Sequence, residues 1–428
     1  MPNLHSLRND NQKPLRIWLI QHGEPPPTLI DSGAFRTARL SRELAARGHD
    51  VTYWTSSFWH HKKILYCEDN RVETVDGYKL RILHAGKYDS NHSIQRYMHH
   101  KKMARLFAEE SRKLEKPDVI VAALPIHYCA LEAVKYAMEV HVPVIVDIRD
   151  YWPDNFLLLF PKRLEWLGRL FFWNDFQVTK QALKNATSLV SMMGQLLDWG
   201  LAQYAGRHRG PDDQVFFLGG DKLDTSTNAD ALTLFPEIVE RIDERFVVSY
   251  VGSFSHFNHP MVIIEAAKRL KSMGFEDQFL FLLAGAGDYH DTCVSAAAEL
   301  NNVLFPGWVE TKQISALNTV SSVGVVPSIE EYTFPNKVFS YLGSGLPILS
   351  SAKGDLKDLL AEHNAGYYFD ILDPLDLANR LLELSQLDTD AYNVIARNAW
   401  QLFEDHLQAD TIYRHYADHV EQVAHGHG

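Results

Sequence analysis

The chain has 428 residues, which is too long for one small domain and fits two domains of ordinary size. Apolar residues make up 46% of it and charged residues 22%, as is normal for a folded protein. The formal net charge of −12 argues against a general nucleic-acid binder, so we expect no nucleic-acid partner.

The first half of the chain alternates short apolar strands with amphipathic helices from residue 16 onward. This alternation predicts a parallel sheet that is covered on both faces. Gly48 is expected to end the first helix, because glycine readily adopts the left-handed conformation that follows a helix. The predicted strands are 17–20, 51–55, 119–122 and 144–148, and the predicted helix is 33–47.

The second half restarts the same alternation after a polar, turn-rich stretch. The strands predicted there are 247–251, 278–284, 303–305 and 323–327, with a helix at 261–273 and a helical terminal segment at 391–423. We therefore predict a first domain over 1–220, a linker over 221–245 and a second domain over 246–400.

Cysteine usage and hydropathy indicate the compartment. Cys67, Cys129 and Cys293 form no CxxC pair, which suits a reducing cytosol and no thiolate metal site. The first apolar run, 17–20, is too short for a signal sequence. No run approaches the roughly 18 apolar residues that a membrane span needs. We expect a cytoplasmic protein.

The stretch from Thr333 to Leu349 carries the strongest functional signal. A loop containing Pro335 and Asn336 leads into a short helix, and the first N–H groups of a helix have no partner inside it. These groups lie at the positive end of the helix dipole, and Lys337 adds a cation beside them. The residues therefore predict a site for a phosphate-bearing ligand.

Several segments, in order along the chain, resemble glycosyltransferases that have two Rossmann-like domains. They are 33–36 with 44–52, 147–154 (Asp-Ile-Arg-Asp-Tyr-Trp-Pro-Asp), 250–253, 285–287, 302–307 and 333–347. The chain is thus similar to family 4 of the glycosyltransferases, which includes bacterial transferases for cell-surface polysaccharide and lipopolysaccharide. The resemblance implies an α/β fold of GT-B architecture, with two Rossmann-like doubly wound domains facing a central cleft. It also implies that the terminal helix, 400–428, packs back on the first domain.

The resemblance implies transfer of a sugar from a nucleotide-sugar donor to a glycan or lipid-linked acceptor, in surface polysaccharide biosynthesis. The reaction would retain the anomeric configuration and use no metal ion. The nucleotide sugar is then a substrate, and no cofactor is expected. Two alternatives remain open: a non-catalytic partner subunit that binds a nucleotide or sugar, and a nucleotide-sugar epimerase.

The resemblance also implies roles for individual residues. Lys337 would stabilise the leaving phosphate, and Asp150 would steer the acceptor hydroxyl or accept its proton. Arg149 would clamp a phosphate or carboxylate, or pair with Asp150. The implied donor-binding residues are Gly33, Gly252, Ser253, Gly285, Gly287, Trp308, Val309, Glu330, Glu331, Thr333, Phe334, Pro335, Asn336 and Ser340. No residue is assigned to a metal.

The chain departs from the family pattern in two loops. The loop 252–259, after the first strand of the second half, lacks the Arg and Lys that the family usually has there. Tyr332 and Ser340 stand where the family usually has two Glu residues eight positions apart. The second of these Glu residues normally holds the ribose hydroxyls. Glu330 and Glu331 lie beside the first position and would replace it after a one-residue shift of the loop.

The segment 156–173 is both aromatic and basic, with Lys162, Arg163 and Arg169 among Trp and Phe residues. A second cationic stretch lies at 96–105. Basic residues interleaved with aromatic ones are typical of a helix in a lipid interface, and a core helix is the alternative. The first alternative predicts peripheral contact with the inner face of the plasma membrane, where a lipid-linked acceptor would explain both stretches, and the second predicts packing on the sheet.

Overall fold

The structure, a computed structural model, describes residues 13–29, 35–90, 93–223, 232–242 and 244–426. The chain divides into two compact units. Unit 1 comprises Met1–Leu218 together with Tyr413–Gly428, and unit 2 comprises Gly219–Ile412. The segment 221–245, predicted as a linker, falls within unit 2 and contains a helix, Pro236–Ile242.

The described part of unit 1 contains ten strands. They are β1 Arg16–Ile20, β2 Asp50–Ser56, β3 Phe58–Trp59, β4 Ile64–Leu65, β5 Arg71–Val75, β6 Tyr78–Leu83, β7 Val119–Leu124, β8 Val144–Ile148, β9 Ser188–Ser191 and β10 Gln214–Val215. Eight of them form one sheet in the order β10-β9-β8-β7-β1-β2-β6-β5, and β3 pairs with β4. Neighbouring strands of the large sheet are parallel, except that β5 is antiparallel to β6.

Helices connect the parallel strands of this sheet and pack against them, as in other parallel sheets. The α-helices of this unit are α1 Arg36–Ala46, α2 Ile94–Ser111, α3 His127–Val140, α4 Glu165–Phe171, α5 Trp173–Lys184 and α6 Gly194–Trp199. Short 3-10 turns lie at Pro27–Leu29, Asp154–Leu159 and Lys162–Leu164, and a π-helical turn follows α6 at Gly200–Ala205. In the core, the Trp18 ring stacks on Tyr136 with the ring centres 5.4 Å apart.

The strands predicted in the first half are confirmed to within two residues, because each is a mostly apolar run that is buried almost throughout. The β5–β6 hairpin was not predicted. Its edge strand β5 has no buried residue, so it lacks the apolar pattern by which a strand is recognised. The helix predicted to begin at residue 33 begins at Arg36 in the described part of the chain.

Unit 2 has one sheet of six parallel strands in the described residues. The strands are β11 Phe246–Val251, β12 Phe279–Ala284, β13 Val303–Gly307, β14 Val323–Val326, β15 Ile348–Ser350 and β16 Gly366–Tyr368. Their order is β13-β12-β11-β14-β15-β16, so the chain reverses its direction of travel across the sheet at β11. Open α/β sheets bind ligands at such a switch point, outside the carboxyl ends of the strands.

The helices of unit 2 follow the strands in regular alternation. They are α7 Pro236–Ile242, α8 Met261–Ser272, α9 His290–Ala296, α10 Thr311–Thr319, α11 Lys337–Gly343, α12 Asp355–Glu362, α13 Pro374–Ser385 and α14 Thr389–Leu402, with a 3-10 turn at Glu276–Gln278 and a π-helical turn at Phe403–Leu407. The last helix, α15 Ala409–Gly426, begins in unit 2, and its residues from Tyr413 belong to unit 1.

The final segment of the chain is an integral part of unit 1. The ring of Tyr416 stacks on Phe216 with 4.5 Å between the ring centres. The Arg47 guanidinium lies 2.6 Å from the Asp418 carboxylate and 3.1 Å from that of Glu421. In the described part of the chain, no helix is both long enough and apolar enough to cross a membrane.

Candidate active site

Unit 2 has a cavity of about 690 Å³ at the carboxyl ends of β11, β12 and β13. Five residues that the sequence predicts for donor binding line this cavity: Gly252, Ser253, Gly285, Trp308 and Val309. Val251, Glu310, Thr311, Lys312 and Ile314 complete the lining. The cavity therefore lies where an α/β sheet binds its ligand.

Glycines let the strand ends approach each other at this cavity. The Gly252 N–H donates to the Ala284 carbonyl at 3.0 Å, and the Gly285 N–H donates to the Gly307 carbonyl at 2.7 Å. Gly285 has a φ of +140°, and a Cβ on it would lie 1.8 Å from the Gly252 oxygen. Gly287 does not line the cavity, and a Cβ on it would lie 2.3 Å from the Phe254 oxygen. Only glycine therefore fits at positions 285 and 287.

Lys337 lies beside the cavity wall. Its ammonium is 4.2 Å from the centre of the Tyr250 ring and has no hydrogen-bond partner in the described part of the protein. A Cβ added to Gly252, which lines the cavity, would lie 2.6 Å from Nζ. Burial lowers the pKa of Lys337 from 10.5 to about 7. A buried ammonium without a hydrogen-bond partner is a group that an anionic ligand would stabilise.

The loop before Lys337 does not line the cavity. Glu331 forms an ion pair with Lys353 at 2.7 Å, and the Glu330 carbonyl accepts a hydrogen bond from the Ser328 hydroxyl at 3.1 Å. The Phe334 and Phe339 rings pack with 5.4 Å between their centres. Thr333 and Pro335 are half-buried, and Asn336 is exposed. Replacement of the first family Glu by Glu330 or Glu331 stays a prediction.

Helix α11 has seven residues, and the Asn336 side chain makes no capping hydrogen bond to it. The Ser340 hydroxyl donates to the Lys337 carbonyl at 3.0 Å, inside the same helix. The Ser340 carbonyl accepts from the buried Asn318 amide at 3.1 Å. Neither the anion site at the start of α11 nor ribose binding by Ser340 is tested by this geometry, and both stay predictions.

In unit 1, Arg149 belongs to a buried network of charges. Its guanidinium donates to Asp147 at 2.9 Å and to the Thr37 hydroxyl at 2.9 Å, and it pairs with Glu24. Arg36 donates to the same Asp147 at 2.9 Å. The prediction that Arg149 pairs with Asp150 is therefore wrong. Each guanidinium nitrogen already has a partner within unit 1, which disfavours a role as a ligand clamp.

The network has a strong effect on the central carboxylate. Burial alone would raise the pKa of Asp147, but Arg36 and Arg149 lower it below its usual value. Glu24, Arg36 and Asp147 were not predicted as members of this network. Asp147 is a charged residue inside an otherwise apolar strand. Because such a residue is seldom buried without a partner, its position in the sequence could have predicted a buried ion pair.

Asp150 lies one residue beyond Arg149 in a different environment. Its Oδ1 accepts from the Tyr151 N–H at 2.8 Å and from the Asn155 amide at 2.6 Å. Burial raises the pKa of Asp150, although these hydrogen bonds and nearby Arg96 act in the opposite direction. A raised pKa suits a proton acceptor, and the catalytic role of Asp150 stays a prediction.

Gly33, which the sequence predicts for donor binding, lies outside the described residues. Glu310, Thr311 and Lys312 line the cavity but were not predicted. Glu310 and Gln313 form a capping box at the start of α10, and this pattern was visible in the sequence directly after Trp308 and Val309. In the part of the chain that the structure describes, no group of three His, Cys, Asp or Glu residues is placed to hold a metal ion.

Residues 245–386, which include every lining residue of this cavity and Lys337, match the family described as glycosyl transferases group 1. Sucrose-phosphate synthase from Thermosynechococcus elongatus is similar in structure, with a TM-score of 0.67 and 17% identity over 96% of this chain and 100% of that one. HepE of Anabaena in complex with UDP gives a TM-score of 0.63 and 15% identity over 95% and 100% of the two chains. This chain has a GT-B glycosyltransferase fold.

A curated relative is similar in sequence to part of this chain. The putative colanic acid biosynthesis glycosyltransferase WcaL of Escherichia coli (strain K12) is 24% identical over 168 residues, which is 38% of this chain. The chain spans about two fifths of that relative's length (41%). The family match and the GT-B fold together support a transferase.

Proposed function

We propose that the protein is a glycosyltransferase that moves a sugar from a nucleotide-sugar donor to a glycan or lipid-linked acceptor. The observation that carries this proposal is the Lys337 ammonium, buried without a hydrogen-bond partner in the described residues and close to Gly252 in the cavity wall. A diphosphate in the cavity would supply the missing negative charge. Negative charge grows on the leaving phosphate during sugar transfer, and a fixed cation beside it stabilises the transition state.

The donor is a nucleoside diphosphate sugar in this proposal. Trp308, whose side chain is 78% exposed at the cavity, offers an uncovered ring on which a base can stack. The structural neighbour HepE has been solved with UDP and with UDP-glucose. We propose a retaining, metal-independent reaction, in which Lys337 supplies the positive charge that a metal ion supplies in other transferases.

The proposed acceptor is supported by the exposed segment 156–173 of unit 1 and by the curated relative. WcaL is named for colanic acid biosynthesis, so we propose a role in surface polysaccharide biosynthesis. Within 156–173, Trp166, Leu170 and Phe171 are each more than 60% exposed and lie near exposed cations. An apolar, cationic surface of this kind suits an anionic bilayer, so we propose a cytoplasmic protein that contacts the inner face of the plasma membrane.

One observation favours the non-catalytic alternative. Tyr332 and Ser340 replace the two Glu residues of the family pattern, and neighbouring Glu331 pairs with Lys353. A partner subunit would keep nucleotide binding at Lys337 but lose turnover. Binding and turnover must therefore be measured separately.

The test is a thermal-shift and calorimetric titration of the full chain with UDP, GDP and their common sugar conjugates. Lys337→Met keeps most of the side-chain volume, removes the buried charge and should leave the unliganded protein as stable as wild type or more stable. Binding of one nucleotide to the folded state raises the melting temperature of wild type by mass action. This shift should be absent in Lys337→Met and intact in Lys268→Ala, a matched change of an exposed lysine on α8.

Donor hydrolysis or transfer by wild type would then separate the enzyme from the binding subunit. If no nucleotide stabilises wild type, or if Lys337→Met binds as tightly as wild type, the phosphate site at Lys337 is wrong. Stabilisation without any donor turnover would favour the partner subunit.

A further inference from the structure

Unit 1 contains a cavity of about 650 Å³ that is lined both by the start of α2 and by the aromatic segment 156–173. The start of α2 contributes Arg96 and His100 to its wall, and the aromatic segment contributes Phe156, Leu159 and Phe172. The cavity lies beyond the carboxyl ends of β7 and β8, where a parallel sheet presents its ligand site. Its size is within the range of small-molecule sites.

One wall of this cavity is a row of aromatic rings. Trp152 packs on Phe156 with 4.8 Å between ring centres, Phe156 on Phe172 with 4.7 Å, and Phe172 on Phe171 with 4.9 Å. The row reaches the surface, where Phe171 is 78% exposed and Leu159 is 57% exposed. The Trp152 indole N–H is a donor and bonds to Asp150, and the Phe and Leu side chains offer no hydrogen bonds. The wall therefore suits an apolar chain that enters from the side on which 156–173 is exposed.

The inner part of the cavity is polar. The Arg96 guanidinium lies 4.9 Å from the centre of the Trp152 ring and brings a positive charge to the wall. His127 is buried, and its Nε2 lies 2.8 Å from the Asp175 carboxylate, which also accepts from the Tyr128 hydroxyl at 3.0 Å. Because Nε2–H donates to Asp175, Nδ1 is an acceptor in the neutral imidazole of His127. It has no hydrogen-bond partner among the described residues.

We propose that this cavity binds an amphiphile, with its apolar chain along the aromatic row and its anionic, hydroxyl-bearing head group at Arg96 and His127. A head-group hydroxyl would donate to Nδ1 of His127, and a phosphate would pair with Arg96. This inference deepens the proposed function and rests on it, since it identifies the acceptor as lipid-linked. The exposed cations Lys162, Arg163 and Arg169 would hold the cavity mouth at an anionic bilayer.

The probe is farnesyl phosphate, titrated calorimetrically into the full chain, with farnesol as the chain alone and inorganic phosphate as the head group alone. Leu159→Asp changes an exposed side chain of the cavity wall, and its matched control is Leu372→Asp, at an 85% exposed position in unit 2. Arg96→Gln removes the cation. We expect Leu159→Asp and Arg96→Gln each to weaken farnesyl phosphate binding by about tenfold or more. Leu372→Asp should bind like wild type.

UDP titrated into the same variants separates this proposal from the proposed function. Unchanged UDP binding with weakened farnesyl phosphate binding supports the amphiphile site. Wild type that binds UDP but not farnesyl phosphate, or Leu159→Asp that binds both like wild type, overturns the amphiphile site and leaves the donor proposal intact. Wild type that binds neither UDP nor GDP would instead overturn the proposed function. Preferential binding of a free oligosaccharide would show that the cavity is a glycan site and overturn this proposal.

Discussion

Lys337 is held in an unfavourable place for a charge. The Tyr250 ring, 4.2 Å from its ammonium, offers a cation–π contact worth about 1 to 2 kcal/mol when desolvated. Removing an ammonium from water costs several kcal/mol, so this contact offsets only part of the loss. Burial therefore lowers the pKa of Lys337 to about 7. Without a ligand, the folded protein can avoid part of the cost of a buried charge because Lys337 releases its proton.

This shift predicts how nucleotide binding depends on pH. In the unliganded protein Lys337 loses its proton near pH 7, whereas a bound diphosphate favours the charged form. Each pH unit above 7 should then weaken UDP binding by about tenfold, until the pKa of the complex is reached. Calorimetry at pH 7, 8 and 9 measures this slope in wild type and in Lys268→Ala. An affinity that is flat over this range would contradict the assignment of Lys337.

The same shift has a consequence for folding, with the opposite trend. Between pH 7 and 10.5 the unfolded chain holds a proton on Lys337 that the folded, unliganded protein does not. The contribution of Lys337 therefore makes the unliganded protein more stable as the pH rises through this window. The Lys337→Met variant should lack this contribution.

At the scale of elements, a charged network ties the carboxyl end of β8 to the start of α1. Asp147 in β8 contacts both Arg36, the first residue of α1, and Arg149, and its side chain is fully buried. Asp147→Asn would leave two buried guanidinium groups beside a neutral amide. Breaking such a pair typically costs about 3 to 5 kcal/mol of unfolding free energy.

Urea denaturation followed by tryptophan fluorescence measures this loss. The matched control is Asp76→Asn, which removes the carboxylate of an exposed pair with Arg42, where both side chains are more than 40% exposed. We expect this control to cost less than about 1 kcal/mol, as exposed pairs do. Equal losses in the two variants would show that the buried network does not stabilise unit 1.

The elements also show what the sequence can and cannot predict. Mostly apolar runs identified β1, β7 and β8, because a strand buried on both faces leaves that pattern. The resemblance to glycosyltransferases identified Gly252 and Gly285, which follow apolar strands and line the cavity. Arg149 contacts Glu24, which is 125 positions away in the sequence. This contact depends on which loops the order of strands brings together, so no local sequence pattern predicts it. The burial of Lys337 depends in the same way on Gly252 and Tyr250, distant in sequence.

At the scale of the whole molecule, the net charge of −12 opposes binding to an anionic membrane. The exposed cations Lys162 and Arg163 should overcome this repulsion locally, since each is worth about 1 kcal/mol at such a surface. Replacing both with Gln should lower partitioning onto phosphatidylglycerol vesicles about 30-fold. Raised salt should weaken wild-type binding, because the attraction is screened.

Co-sedimentation with vesicles measures this effect, and Lys268→Gln, on an exposed face of α8, is the control. Equal partitioning of wild type onto neutral and anionic vesicles would contradict the membrane contact. So would a double variant that binds anionic vesicles as tightly as wild type.

The division of unit 1 between two stretches of chain has a consequence for biosynthesis. A ribosome makes all of Gly219–Ile412 before it makes Tyr416, whose ring stacks on Phe216. Unit 2 can therefore complete its sheet on the nascent chain before Tyr416 is available to contact Phe216 and Arg36. Unit 1 is the first unit to be synthesised and the last to be completed, so chaperones would meet it in its unfinished state.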